Sequence, residues 1–351
     1  MRKWENNVRK VTPYVPGEQP RQSDVIKLNT NENPYPPSPM VAEALRKMTT
    51  DTMRKYPSVD TQPLTDEIAG FYGLKPQQVF VGVGSDDVLA MCFLTFFNSG
   101  KPIFFPDITY SFYDVWADVF RIPYECQKLD EKFEISPEDY YKENGGVIFP
   151  NPNAPTGTLL PLEAVEDILV HNQDVVVIVD EAYIDFGGTT ALGLIETYDN
   201  LLVVQTFSKS RSMAGMRIGY AMGNEKLIRY LNDVKYSFNS YTMNETALTL
   251  GTAAIRDRAY FEETSAKIIE TRERTKEQLK NLGFSFGDSK ANFLFVTHRT
   301  YPAREIFEAL KQAGIYVRYW NKPRISNYLR ITIGTEEEMD RLFAFLREYL
   351  K

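Results

Sequence analysis

The chain of 351 residues has few histidines and few cysteines, two of each. A multi-histidine metal centre therefore lacks its ligands, and a Ser-His-Asp hydrolase has little to work with. His171 sits in a polar stretch ahead of an apolar run, and His298 follows Phe293 to Thr297 near a turn. Both read as bystanders. Cys92 and Cys126 are without metal-ligand spacing or a disulfide framework, a usage that fits a reducing compartment. No run approaches the roughly 20 apolar residues of a membrane span. The start, Met1-Arg2-Lys3-Trp4-Glu5-Asn6-Asn7, is without the apolar stretch of a signal peptide. The expected location is the cytoplasm. An excess of positive charge is missing too. Lys and Arg number 40 against 47 Asp and Glu, for a net charge of −7, with the two signs interspersed. That excludes a nucleic-acid footprint, which needs a basic face, while leaving room for a few arginines around a small anion.

What is present is a strand-helix rhythm, in a chain long enough for about two domains. Residues 1–30 read as an irregular arm punctuated by Pro13, Pro16, Gly17 and Pro20. Ser38 to Met48 carries apolar residues at helical spacing. Strands are predicted at Val79-Val83, Pro102-Phe105, Gly146-Phe149, Val175-Val179, Leu201-Gln205 and Ile218-Met222, with helices such as Asp86 to Phe97 and Leu162 to Val170 between them. Short, almost continuously apolar runs suit parallel strands covered on both faces. The alternation predicts an α/β fold with a mostly parallel central sheet, helices on both faces, and ligands at the carboxyl ends of its strands. This large domain is expected over 31–247. A smaller α+β domain is expected over 248–351. It comprises a long charged helical stretch (Arg256 to Leu282), strands at Asn292-Val296, Ile315-Tyr319 and Tyr328-Ile333, a helix around Ala303-Ala313, and a last helix from Glu336 opened by a Thr335/Glu338 capping box.

The strand ends hold the chemistry. Lys209, in Thr206-Phe207-Ser208-Lys209-Ser210, follows a buried strand, where a desolvated amine suits Schiff-base formation. Asp180 ends the preceding run. It is either a helix cap or a carboxylate for a protonated ring nitrogen, with Tyr183 near enough to donate to a ring oxygen. A carboxylate there costs free energy unless it is paired. Gly82 and Gly84 precede Ser85 and Asp86, which are either caps or, through a free helix N-terminus, phosphate ligands. Tyr110 could lie against a heteroaromatic ring or simply pack, in a chain with 21 tyrosines. Asn153 is bracketed by prolines in Pro150-Asn151-Pro152-Asn153-Ala154-Pro155-Thr156-Gly157, more conformational constraint than an ordinary loop needs. Thr206, Ser208 and the planar guanidinium of Arg217 would make a phosphate cup.

The combination of Gly84-Ser85-Asp86, Asn151 to Gly157, Asp180-Glu181-Ala182-Tyr183, Ser208-Lys209 and Ala214-Gly215-Met216-Arg217 resembles the fold-type-I aminotransferases that use pyridoxal 5'-phosphate (PLP), in order and over essentially the whole chain. The resemblance implies that Lys209 holds PLP and moves the proton, that Asp180 keeps the ring nitrogen protonated, that Asn153 and Tyr183 bond the ring oxygen, and that Tyr110 stacks on the ring. Ser85, Asp86, Ser208 and Arg217 would hold the cofactor phosphate. Tyr56 would reach it from a second subunit, which implies a homodimer with shared active sites. Closer markers are Thr12-Pro13-Tyr14, Asn31-Glu32-Asn33-Pro34, Arg54-Lys55-Tyr56-Pro57 and Val317-Arg318 through Tyr328 to Thr335. They point within the family to members acting on histidinol phosphate and 2-oxoglutarate, with glutamate as product, in histidine biosynthesis. Arg330, Arg318, Tyr14 and Asn33 would then bind substrate. One arginine can serve a phosphate and a carboxylate in turn, because guanidinium grips both in bidentate fashion. Ala154 stands where many relatives have a second asparagine. Arg324 is either a ligand or a solvated loop charge, and the second is favoured because exposed charges are the usual case.

Four other readings compete. An aromatic amino-acid aminotransferase of the same fold would need a similar pocket, and a decarboxylase of an amino-acid phosphate shares the anion-binding logic. A non-catalytic PLP-binding sensor would usually bring a DNA-binding segment, and none precedes Asn31. A nicotinamide-binding dehydrogenase would want a third glycine in Gly82-Val83-Gly84-Ser85-Asp86-Asp87 and leaves Lys209 without a task.

Overall fold

The computed structural model describes residues 2–20, 22 and 24–351. Of the arm predicted over 1–30, Met1, Arg21 and Ser23 lie outside the described residues. The rest forms no regular structure apart from a short 3-10 turn and β1 (Ile26–Lys27). Helix α1 (Pro39–Lys47) starts where the Ser38 side chain accepts from Met40 N and proline takes the first turn. Helix α2 (Leu64–Tyr72) stops at Gly73, whose φ of 70° is a left-handed end.

The apolar runs form a seven-stranded sheet. In chain order it contains β2 (Val79–Gly82), β3 (Ile103–Pro106), β4 (Tyr124–Gln127), β5 (Val147–Pro150), β6 (Val177–Asp180), β7 (Leu201–Thr206) and β8 (Gly219–Gly223). Helices α3 (Gly84–Phe96), α4 (Tyr113–Phe120) and α5 (Leu162–His171) fall between them. Across the sheet the order is β2-β8-β7-β6-β5-β3-β4. All neighbours are parallel except β8, antiparallel to both β2 and β7. Because β8 returns beside β7 without a crossover, the loop between them stays at the carboxyl end of β7. That loop carries Lys209 and Arg217. Edge strand β4 was not foreseen, since three of its four residues are exposed and leave no apolar run.

Alternation along the strands splits the core. Val177, Val179 and Val203 pack on one face with Leu64 and Ile68 of α2 and Val165 and Ile168 of α5. Ile178, Leu202 and Val204 pack on the other with Val88 of α3 and Trp116 of α4. Leu227 and Leu231 of α6 (Glu225–Phe238) join that second face.

The helical stretch expected over Arg256 to Leu282 is α8 (Arg258–Asn281), and a helix that was not foreseen, α7 (Glu245–Arg256), precedes it. Asp257 divides them by turning its side chain to accept from Tyr260 N as an N-cap, the competition with the helix that aspartate brings. Beyond lies a four-stranded antiparallel sheet of β9 (Phe284–Phe286), β10 (Phe293–His298), β12 (Arg318–Tyr319) and β13 (Leu329–Thr332), in the order β12-β13-β10-β9. Helix α9 (Ala303–Gln312) leads into β11 (Ile315–Tyr316), which pairs with β1. The strand predicted at Ile315-Tyr319 is thus β11 and β12, which bond different partners. Helix α10 (Glu336–Tyr349) opens on the predicted capping box. Thr335 Oγ1 accepts from Glu338 N at 3.2 Å, and Glu338 Oε2 accepts from Thr335 N at 2.8 Å.

Candidate active site

The ends of β5, β6 and β7 share one edge, since Pro150 is level with Asp180 and Asp180 with Val204. Asp180 is 4% exposed. Its Oδ2 accepts from the Tyr113 hydroxyl at 2.8 Å and its Oδ1 from Ala182 N at 3.3 Å. Burial pushes its carboxyl up to about 6, and those two bonds pull the other way. Tyr113, at the start of α4, was not foreseen. Its sequence signal is that of an ordinary core aromatic. Next in the chain, Glu181 is buried as well and is pushed up to about 7, again by burial.

One turn past β7, the Lys209 Nζ donates to Thr30 O at 3.2 Å and lies 5.7 Å from the centre of the Tyr183 ring. The main chain here is braced. Asn33 Nδ2 donates to Lys209 O at 3.1 Å and Ser210 O at 3.2 Å, and the Ser210 hydroxyl donates to Asp185 Oδ2 at 2.5 Å. Tyr183 is buried. Its hydroxyl accepts from Asn31 Nδ2 at 2.9 Å.

Beside the amine lies an anion cradle. Gly84 has φ +84°, and a Cβ there would stand 2.4 Å from Arg217 Nη2. A Cβ on Gly219 would stand 2.2 Å from Ser85 N. Only glycines let the N-terminus of α3, Ser85 and Arg217 converge, and a helix N-terminus with an adjacent guanidinium binds phosphate. Arg217 Nη1 is 3.5 Å from Ser208 Oγ, and its Nη2 donates to Asp86 Oδ2 at 3.0 Å. The Tyr110 hydroxyl donates to Asp86 Oδ1 at 2.7 Å. A cavity of about 140 Å³ is lined by Ser85, Asp86, Tyr110, Asp180, Tyr183, Ser208, Lys209 and Arg217 among others.

This cavity adjoins a cleft of about 440 Å³, with Tyr110, Ala154, Tyr183 and Lys209 common to both. Arg318 and Arg330 line the cleft from directly opposite positions on β12 and β13, so both side chains leave the same face. Arg330 Nη2 donates to Asn29 O at 3.0 Å, its Nε is buried without a partner among the described residues, and burial lowers its guanidinium from the usual value. Arg318 donates to Pro16 O and Val15 O of the arm, each at 3.1 Å. Tyr14 stacks on Phe112 with ring centres 4.2 Å apart and also lines the cleft.

Some predicted residues sit elsewhere. Asn153 is buried outside both linings. Its amide donates to Ile108 O at 3.0 Å and Thr156 Oγ1 at 2.9 Å, so both its protons are engaged in the loop. Asn33 holds the Lys209 main chain instead of facing either cavity. Tyr56 is 81% exposed and lies against Tyr241, ring centres 4.5 Å apart. Arg324 is not a free solvated charge. It pairs with Asp107 Oδ2 at 2.7 Å and donates to Leu129 O and Asp130 O at 2.6 and 2.7 Å, because its backbone, at φ +67°, turns it back onto the large domain.

The inner cavity fits PLP by the chemistry of its groups. It offers an amine for an aldehyde, a buried carboxylate for a ring nitrogen, a tyrosine hydroxyl for a ring oxygen, and a glycine-framed cradle for a phosphate. A family model described as aminotransferase class I and II matches residues 23–346. A histidinol-phosphate aminotransferase of Lactococcus lactis subsp. cremoris (strain MG1363) is 51% identical over 348 residues, covering 99% of this chain and 98% of its own. One from Clostridium beijerinckii is 51% identical over 344 residues, covering 98% and 96%. Among solved structures, the histidinol-phosphate aminotransferase from Clostridium acetobutylicum superposes with a TM-score of 0.85 at 23% identity, covering 93% of this chain and 99% of that one. That from Sinorhizobium meliloti, in complex with pyridoxal-5'-phosphate, gives 0.84 at 23% identity, covering 93% and 90%. The structural likenesses establish the fold, and the sequence matches go further: the chain belongs to the class I and II aminotransferases.

Proposed function

We propose that this aminotransferase uses PLP to move an amino group between L-histidinol phosphate and 2-oxoglutarate, forming imidazole-acetol phosphate and glutamate in histidine biosynthesis. The observation that carries the substrate reading is the pair Arg318 and Arg330. The two residues are paired on neighbouring strands and each guanidinium lies 5.2 Å from the Trp320 ring centre, which gathers two positive charges at one end of the cleft, where an anion would be held. A phosphate, which can carry two charges and takes bidentate bonds, suits that place better than the single carboxylate of an aromatic amino acid. Full-length likeness at about half identity to proteins named histidinol-phosphate aminotransferase supports the same reading.

PLP supplies an electron sink for the pair left when the amine-bearing carbon loses its proton. The Lys209 Nζ is the group placed to hold the cofactor and to carry that proton. Asp180 holds a proton at the ring nitrogen, and the cationic partner offsets the cost of its buried carboxylate. Tyr183 donates to the ring oxygen. Asn153 braces the loop and would reach that oxygen only by giving up its bond to Thr156 or Ile108. Tyr110, which lines the inner cavity, would pack against the cofactor ring. Ser85 and Asp86 (through their amides), Ser208 and Arg217 hold the phosphate. Arg330, with Arg318 and Tyr14, binds the substrate anion, and Asn33 serves the site through the Lys209 main chain.

The working form is taken to be a cytoplasmic homodimer, with an arm over 1–30, a large domain over 31–247 and a small domain over 248–351. Tyr56, Met53, Phe238 and Tyr241 are large apolar residues that stand exposed, the kind of surface a second copy would cover. Tyr56 then reaches the neighbouring subunit's cofactor phosphate. Two substitutions test the scheme. Lys209→Ala should abolish turnover with unchanged far-UV circular dichroism, and full activity would overturn the mechanism. Arg330→Ala should weaken both histidinol phosphate and glutamate by roughly 100-fold in kcat/KM, about 3 kcal/mol for a charged bond in a partly buried place. If glutamate kinetics were untouched, Arg330 would not serve both anions.

A further inference from the structure

Residues Leu28 to Asn31 run between the two sheets, and every carbonyl of this strip accepts a bond from the site or the small domain. Leu28 O takes Thr332 N at 3.0 Å, Asn29 O takes Arg330 Nη2 at 3.0 Å, Thr30 O takes Lys209 Nζ at 3.2 Å, and Asn31 O takes Asn292 Nδ2 at 3.1 Å. Asn31 is 1% exposed and has φ +56°, a left-handed conformation that asparagine and aspartate tolerate.

Its amide has one orientation. The Thr332 hydroxyl accepts from Asn31 N at 3.1 Å, which leaves its single proton to go to Asn31 Oδ1 at 2.9 Å. The amide nitrogen is therefore the atom facing Tyr183, and it donates to the phenol oxygen at 2.9 Å. A phenol that accepts from Asn31 must direct its own proton away from it. The ring stands edge-on to Phe293 with centres 5.0 Å apart, and it lines the cavity with Lys209. The cavity is where that proton points.

We infer that Asn31 is a positioning residue, which turns the Tyr183 hydroxyl proton into the cofactor cavity and, through Thr332, makes that orientation depend on the seating of the small domain. The inference rests on the PLP reading above. With PLP bound, a proton donated by Tyr183 would favour the ionised form of the ring oxygen.

The test follows the pH midpoint of the visible absorbance of the PLP-loaded protein. Asn31→Asp keeps the size and backbone preference but presents an acceptor, which reverses the phenol. The midpoint should rise by roughly 1 pH unit, and in a Tyr183→Phe background the same substitution should leave it nearly unmoved. Thr332→Val, which frees the amide to rotate, should raise it by less, and it carries the test if Asn31→Asp fails to fold. An equal rise with and without the Tyr183 hydroxyl would mean a charge effect or a structural effect, and would overturn the relay. So would an unmoved midpoint in both single variants. Absence of a visible band in the unsubstituted protein with PLP would strike the PLP reading itself and is thus told apart.

Discussion

At the scale of single residues, the site is kept at a cost that cofactor removal exposes. Asp180 is buried and its carboxyl is pushed up to about 6, whereas in the unfolded chain it ionises near its ordinary value. Below that ordinary value both states are protonated and no penalty exists. As pH rises toward 6 the unfolded state loses its proton first, so the folded state loses stability, by about 3 kcal/mol at most, and the loss is complete above that. The PLP-free Asp180→Asn protein should therefore be more stable than PLP-free wild type at pH 8, with the gap shrinking toward pH 4, as read by urea unfolding at both values. A gap independent of pH would mean that ionisation of Asp180 is not its source. Lys209, Asp180 and Tyr183 stood out in the sequence because they follow apolar runs, and Arg217, just ahead of the run Ile218-Met222, because it sits in a dense local motif, while the roles expected of them came from the resemblance. Asn31, Thr30 and Tyr113 could not. Their partners are Tyr183, Lys209 and Asp180, distant in the chain, and nothing in an asparagine, a threonine or a core tyrosine announces such a contact. Arg324 went wrong for the same reason, as its Asp107 and Leu129 partners lie far back in the chain.

At the scale of elements, the decisive feature is the packing of α3 against β8. Gly219 opens β8 with the start of α3 against it, its missing Cβ leaving the room taken by Gly84 and Ser85 N. Gly219→Ala must push the start of α3 outward and displace the amide of Ser85. PLP affinity should fall at least tenfold, about 1.4 kcal/mol, and fluorescence titration with PLP measures it. Unchanged affinity would mean that the cradle does not use this end of α3. Thr335→Ala, at the other end of the chain, removes the α10 cap and should cost about 1 kcal/mol by urea unfolding without changing PLP affinity. The parallel strands and this capping box were legible in sequence because their signals are local. Edge strand β4 and helix α7 were not. The first is mostly exposed, and the second carries Thr246, Thr249, Gly251 and Thr252, poor helix formers that blur its pattern.

At the scale of the whole molecule, the large and small domains are joined at several places, among them Lys290 N to Gly157 O at 2.9 Å and Arg272 Nη1 to Phe186 O at 2.7 Å. The segment Leu28 to Asn31 and the Arg324–Asp107 pair both join the small domain to the large one around the cleft. The exposed aromatic surface at Tyr56 and Tyr241 is expected to close on a second copy. Sedimentation should give a mass of two chains, and Tyr56→Phe should weaken PLP severalfold without altering that mass. A monomer with full PLP affinity would remove Tyr56 from the site.

The most direct test of the central claim is an absorbance titration of the PLP-loaded protein with histidinol phosphate, phenylalanine and glutamate in separate cuvettes. The Arg318 and Arg330 pair predicts that histidinol phosphate discharges the visible band of the bound cofactor at a concentration at least about 100-fold lower than phenylalanine does. If phenylalanine did as well or better, the enzyme would still be an aminotransferase, but the assignment of the two arginines to a phosphate would be wrong.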